Sequence, residues 1–176
     1  MPIVPDVKDW TWVLERACPE CGFDAAATSY ATVPALTRDT AVRFAAVLDR
    51  HGARTRPDES TWSALEYGAH VRDVCRLFGT RLDLMLAGDP DGEVPRFANW
   101  DQDATAIADR YGEQDPAQVA GELDEAAERV ARSFESVPLT QRGLRGARSD
   151  GAVFTVESFA RYFAHDLVHH VHDVRG

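Results

Sequence analysis

The chain has little positive charge. It carries 19 basic residues against 29 acidic ones, for a formal net charge of -10 at pH 7, and Lys8 is its only lysine. Nucleic acids and anionic membranes attract proteins through clustered basic residues, so both kinds of partner are disfavoured. The sequence also has no run that approaches the roughly 18 apolar residues needed for a membrane span. Its first residues lack a basic region followed by an apolar run, which predicts a cytoplasmic location.

Cysteine is scarce as well. The three cysteines are too few, and odd in number, for a disulfide framework. Cys18 and Cys21 form a Cys-x-x-Cys pair, but zinc needs two further ligands and the sequence has no second pair. A redox dithiol normally lies at a helix N-terminus, whereas Gly22 and Asp24 indicate a turn. The sequence therefore predicts a structural or incidental role for this pair, and a packing role for Cys75.

Strand signals are nearly absent, and helical periodicity dominates. Apolar spacing and capping residues predict four long helices and one short one, at residues 37–50, 62–87, 103–111, 115–136 and 155–174. The short helix belongs to a long, turn-rich connection, and residues 137–150 are predicted to form a loop that carries Arg142, Arg145 and Arg148. We expect one domain over residues 1–176, an all-α four-helix bundle with a long crossover between helices two and three. Residues 1–36 would be an N-terminal extension that packs on the bundle, with Trp10, Trp12 and Trp100 at the bundle ends.

Three ionisable residues are expected to face one core. His70 lies on the inward face of the second helix, and Asp166 and His170 are four residues apart, which places them on one face of the last helix. Two imidazoles and a carboxylate are a common ligand set for a divalent metal with open positions. Hydrogen-bonded core histidines held by the carboxylate are an equally good interpretation. His165 and His169 form a second pair with ligand spacing, on a face predicted to be exposed.

Two motifs resemble those of the DinB/YfiT-like superfamily, which includes mycothiol-dependent maleylpyruvate isomerases. They are the segment from Trp62 to His70 and the segment from Asp166 to Asp173. The resemblance implies an up-down-down-up four-helix bundle with a divalent metal held by His70, Asp166 and His170. The family has His or Glu where this chain has Asp166, so the alternative register with His165 and His169 stays open. Asp173, three residues after the last ligand, favours the first register.

The same resemblance implies a metal-dependent enzyme. It would activate a low-molecular-weight thiol of the mycothiol type, or water, for transfer to or hydrolysis of a small electrophilic substrate. The alternative is a non-catalytic metal-containing binding or stress-response protein. Zinc and nickel suit imidazole ligands, and iron(II) suits two histidines and a carboxylate. Arg81 is a candidate for binding an anionic group of the substrate, or an ion-pair partner of Asp73 or of an acidic residue in the third long helix. The pattern leaves a homodimer open.

Overall fold

The computed structural model describes residues 9–176; residues 1–8 of the predicted N-terminal extension lie outside the described residues. Residues 9–176 contain five α-helices: α1 Val33–Leu48, α2 Ala64–Leu86, α3 Gln102–Ala108, α4 Pro116–Ser136 and α5 Val156–Asp173. The four long ones form the predicted bundle, in which α4 packs against α1 and α2, and α5 also contacts both. The short α3 lies in the predicted long crossover between α2 and α4. No helix of the described chain is both long and apolar enough to span a membrane.

Side-chain caps explain where three of the helices begin. Ser63 and Glu66 form a capping box at the start of α2, and Thr155 and Ser158 form one at the start of α5. Asp115 accepts hydrogen bonds from two backbone amides in the first turn of α4. These boundaries agree with the predicted ones to within about two residues. The start of α1 does not, because the helix begins at Val33 and accommodates Pro34 in its first turn, where the missing amide proton costs nothing.

The prediction of a loop throughout residues 137–150 is wrong, and three short strands are present among the described residues although the sequence has almost no strand signal. A small sheet is formed by β1 Arg96–Phe97, β2 Arg145–Arg148 and β3 Val153–Thr155, with β1 parallel and β3 antiparallel to β2. A turn in which Gly151 has φ +100° joins β2 to β3. Strands of two to four residues are too short to establish the alternating pattern that reveals a strand in a sequence.

Aromatic packing fixes the position of α5 in the bundle. The rings of Phe78 on α2 and Phe159 on α5 stack with centroids 4.6 Å apart, and Phe134 on α4 stacks on Phe163 at 5.5 Å. Such pairs add about 0.5–1.5 kcal/mol beyond the burial of their area. The N-terminal segment, residues 9–29, approaches α5 from the other side, and its short 3-10 helix at Trp10–Leu14 packs against that helix. The polar residues in the C-terminal half of α5 therefore lie between α2 and this N-terminal segment.

Candidate metal centre

The structure brings His70, Asp166 and His170 together. One ligand atom from each of the three lies within 4.8 Å of the others. The Nε2 atom of His170 is 3.0 Å from Oδ1 of Asp166, and the rings of His70 and His170 have centroids 4.7 Å apart. Spacing of four residues on α5 places Asp166 and His170 one turn apart, and α2 supplies His70 from the facing side. These are the three residues that the sequence predicts as ligands.

His70 has buried nitrogens without partners. Its side chain is 1% exposed, and neither Nδ1 nor Nε2 has a hydrogen-bond partner among the described residues. Trp100 stacks on the ring at 5.3 Å with an interplanar angle of 5°, and Trp62 lies 5.3 Å away. A buried polar group without a partner costs free energy, about 1–3 kcal/mol. A cation bound between His70 and the two α5 residues would supply one partner, so the residues present fit a metal.

His170 is held at both ring nitrogens. Its Nδ1 lies 2.9 Å from Oδ2 of Asp173, while Nε2 faces Asp166. Burial disfavours the charged imidazole, but hydrogen bonds to these two carboxylates outweigh it and raise the pKa of His170 to about 9. Metal-ligating histidines are commonly oriented by a carboxylate that bonds to the ring nitrogen not bound to the metal. Asp173 is therefore placed to hold His170 with Nε2 turned toward the centre of the cluster.

His70 and Asp166 already have the protonation states that metal ligands need, whereas His170 would release the proton on Nε2 when it binds a cation. Burial, reinforced by the charge of His170, lowers the pKa of His70 to about 3, so its imidazole is neutral at physiological pH. Burial alone would raise the pKa of Asp166, but its hydrogen bond to His170 and the surrounding histidines lower it to about 2. A neutral imidazole and an ionised carboxylate both present lone pairs to a cation.

His165 and His169 are not exposed, contrary to the prediction. They are 4% and 8% exposed, because Trp10 and Phe23 of the N-terminal segment pack over them. Their ligand atoms cluster with Cys18 and Cys21, not with His70, among the described residues. The two registers considered for α5 thus belong to two different clusters. His172 alone of these histidines has a largely exposed side chain, at 55%.

A large cavity opens on the first cluster. Its volume is about 910 Å³, and its wall includes His165, Asp166, His169 and His170 together with Trp62, Trp100 and residues 101–103 of the crossover. Trp100 therefore lies over the candidate site, although the sequence predicts it at a bundle end. The signal in the sequence that could have placed Trp100 at a pocket is its position within the long, turn-rich connection, because such connections are often functional.

Two buried arginines also line this cavity. Arg81 donates to the backbone oxygen of Ala98 at 2.7 Å, and its guanidinium lies 4.8 Å from the ring centroid of Phe97. It has no carboxylate partner among the described residues, so the predicted ion pair with Asp73 is not formed. Burial and the charge of Arg148 lower the pKa of Arg81 to about 10. Arg148, predicted in a solvated loop, is buried on β2 and pairs with Asp150 at 2.8 Å.

Comparison with known proteins identifies the family. The sequence profile of the DinB superfamily matches residues 35–174. The chain belongs to the DinB superfamily. Within it, the structure is similar to YfiT from Bacillus subtilis, described as a probable metal-dependent hydrolase with an unusual four-helix bundle topology. The TM-score is 0.71 at 16% identity, over 83% of this chain and 84% of YfiT. This match confirms the predicted four-helix-bundle fold, and no curated protein matches the chain significantly.

Proposed function

We propose that this DinB-superfamily chain is a divalent-metal-dependent enzyme that acts on a small electrophilic molecule, with His70, Asp166 and His170 as the metal ligands. The observation that carries the proposal is the convergence of these three groups, of which Asp166 and His170 lie at the wall of a cavity of about 910 Å³. Three protein ligands leave positions open on a divalent cation, as catalytic sites require and closed structural sites do not. The neighbouring cavity favours an enzyme over a metal protein without substrate.

A divalent cation at this site would lower the pKa of a thiol or a water molecule and make it nucleophilic at neutral pH. The surrounding residues have separate tasks. Asp173 holds His170 in place, Trp100 shields His70 from bulk water, and Arg81 offers an unpaired positive charge to an anionic group of the substrate. Because the guanidinium of Arg81 is buried, its attraction for an anion is less weakened by solvent than that of a surface arginine.

The nucleophile we infer is a low-molecular-weight thiol of the mycothiol type, with water as the competing choice. Support comes from the resemblance of the helix motifs to those of mycothiol-dependent isomerases, and from a cavity large enough for a thiol and a second molecule together. Water is supported by the description of YfiT as a probable hydrolase. For the cation, zinc or nickel suits the two imidazoles, and iron(II) also suits a site with two histidines and one carboxylate.

The test begins with metal content. Protein purified without a histidine tag should lose one equivalent of metal on His70→Ala or His170→Ala, and none on His172→Ala, the exposed control. The metal-loaded protein is then assayed with a nitrophenyl ester, and with N-acetylcysteine plus a chlorodinitrobenzene electrophile. Metal-dependent turnover in the second assay supports thiol transfer, and turnover in the first supports hydrolysis. Metal binding with turnover in neither assay, nor with mycothiol, would favour the non-catalytic alternative.

A further inference from the structure

A second group of possible ligands lies beside the first. Cys18 and Cys21 from the N-terminal segment meet His165 and His169 of α5, and one ligand atom from each lies within 4.8 Å of all the others. We propose that these four residues bind a structural Zn²⁺ ion that fastens the N-terminal segment to α5. Two thiolates and two imidazoles are a common ligand set of closed, four-coordinate zinc sites.

The distances are close to those of such a site. With Zn–S bonds of about 2.3 Å and Zn–N bonds of about 2.1 Å, adjacent sulfur and nitrogen ligands of a tetrahedral zinc lie about 3.6 Å apart. Sγ of Cys18 and Nδ1 of His169 are 3.8 Å apart. The most widely separated ligand atoms, at up to 4.8 Å, would have to approach by about 1.2 Å, a movement small enough for side-chain rotation.

The backbone already presents both cysteines from one turn. The amide of Gly22 donates to the oxygen of Cys18 at 2.9 Å, and the amide of Cys18 donates to the oxygen of Phe23 at 2.8 Å. Gly22 has φ +75°, a conformation that a residue with a side chain rarely adopts. This closed turn directs both sulfur atoms toward α5, and it accounts for the Cys-x-x-Cys-Gly spacing in the sequence.

A buried nitrogen atom of His165 is independent evidence for a bound ion. His165 is 4% exposed, and its Nε2 atom has no hydrogen-bond partner among the described residues. Trp10 and Phe23 pack against this ring, and the Nε2 atom itself is buried. Coordination of zinc would satisfy that nitrogen. Two thiolates would also balance the charge of Zn²⁺, so the buried site would be electrically neutral, with one proton released from each thiol on binding.

The two sites take their ligands from two different faces of α5. His165 and His169 are one turn apart on the helix, and Asp166 and His170 follow each of them by one residue, about 100° further round the axis. The first pair therefore faces the N-terminal segment while the second faces α2. The rings of His169 and His170 have centroids 5.8 Å apart. The two proposed ions would therefore be neighbours, each bound by its own set of ligands.

Metal analysis under reducing conditions distinguishes the two sites. We expect two zinc ions per wild-type chain, and one in both the Cys18→Ser/Cys21→Ser and the His70→Ala variants. Cys75→Ala, which removes the cysteine outside both clusters, should retain both. After replacement of zinc by Co²⁺, a thiolate-to-cobalt charge-transfer band should be present in wild type and in His70→Ala, and absent from the double cysteine variant.

The outcomes separate this proposal from the proposed enzyme. If loading with zinc, nickel and iron(II) in turn never gives more than one ion per chain, and that ion survives His70→Ala and gives the thiolate band as Co²⁺, the second site is supported and the first is contradicted. One zinc without that band, or an unchanged zinc content in the double cysteine variant, would overturn the second site alone. Alkylation of half-buried Cys21 in wild type provides a readout that needs no variant. Alkylation should be slow in the zinc-loaded protein and fast after zinc is removed with a chelator. Equal alkylation rates in the two states would overturn the proposal, as would a Cys18–Cys21 disulfide in place of bound metal.

Discussion

The Nδ1 atom of His170 lies 2.9 Å from Oδ2 of Asp173, one turn further along α5. The same carboxylate has its other oxygen 3.9 Å from Nε2 of His169. One partly exposed aspartate therefore contacts a candidate ligand of each cluster, with the shorter contact to His170. Its removal should weaken metal binding without deleting a ligand.

Asp173→Asn tests this positioning role. The amide can still bond to His170, but it no longer supplies the negative charge that favours the ligating imidazole, so we expect zinc affinity to fall about 10- to 100-fold. Competition with a chelator measures the dissociation constant, and the Cys18→Ser/Cys21→Ser background isolates the site at His70. Asp124→Asn, at an exposed position on α4, is the control. Equal affinities in the two variants would show that Asp173 does not orient the ligand.

Trp100 should report metal binding by its fluorescence. Its ring is parallel to that of His70 at 5.3 Å, so Co²⁺ or Ni²⁺ on His70 would quench its emission at short range. In the same double cysteine background, Trp100→Phe should reduce the quenching while one metal still binds. Trp12→Phe should leave the quenching unchanged, because Trp12 stacks on Trp10 and not on the site. Trp62 also lies 5.3 Å from His70, so quenching that is unchanged in both Trp100→Phe and Trp62→Phe would mean that the metal binds elsewhere.

Arg81→Met tests the anion-binding role in the cavity. A charge-assisted hydrogen bond contributes about 1.5–3 kcal/mol, so we expect the metal-loaded variant to bind succinate about 10- to 100-fold more weakly than wild type. Metal content should not change, because Arg81 is not in the ligand cluster. Arg145→Gln, an exposed arginine of β2, is the matched control. Isothermal titration calorimetry with succinate measures both variants, and equal affinities would remove Arg81 from the substrate site.

Glu66 makes the stability of the fold depend on pH. Burial raises the pKa of its carboxyl, but bonds from Arg56 and from the backbone and hydroxyl of Ser63 outweigh burial and hold the pKa below its usual range. With the folded pKa below the unfolded value of about 4.3, the stabilisation is complete above that pH. It is then lost as the pH falls through the folded pKa.

Glu66→Gln should therefore lower the free energy of unfolding by about 1–2 kcal/mol at pH 7, through loss of the charged cap and its arginine partner. The difference from wild type should narrow as the pH falls below about 4. Urea denaturation at a series of pH values measures this difference in the free energy of unfolding. Glu125→Gln, at an exposed position on α4, is the control. A difference that stays constant into acid would contradict the ionised state of Glu66.

Features that depend on nearby residues were predictable from the sequence. The caps at Ser63, Asp115 and Thr155 act within three residues, and their helices begin where predicted. The pairing of Asp166 with His170 follows from the period of one helix. The approach of this pair to His70 requires only that two amphipathic helices pack face to face, so the sequence was enough to predict that the three residues meet.

Features that depend on distant residues were not predictable in this way. Cys18 and His169 are 151 positions apart, and only the folded N-terminal segment brings them together. The periodicity of α5 could not show that this segment covers His165, because one face of an isolated helix looks exposed whenever its partner is unknown. The burial of Arg148 likewise depends on β2, whose pairing with the distant β1 has no local signal.

Gly146 shows how closely the sheet packs on α2, and it supplies a prediction about stability. A Cβ atom at this position would lie 2.6 Å from Cγ of Met85 and 2.9 Å from Cε1 of Phe97. We expect Gly146→Ala to destabilise the protein by about 1–3 kcal/mol, because a packed interior resists an added methyl group. Gly121→Ala on α4 meets no atom within 4 Å and should stabilise by about 1 kcal/mol through helix propensity. Thermal unfolding measures the stability of both variants. Unchanged stability in Gly146→Ala would mean that the sheet, with Arg148 on β2, can move away from α2 without destabilising the protein.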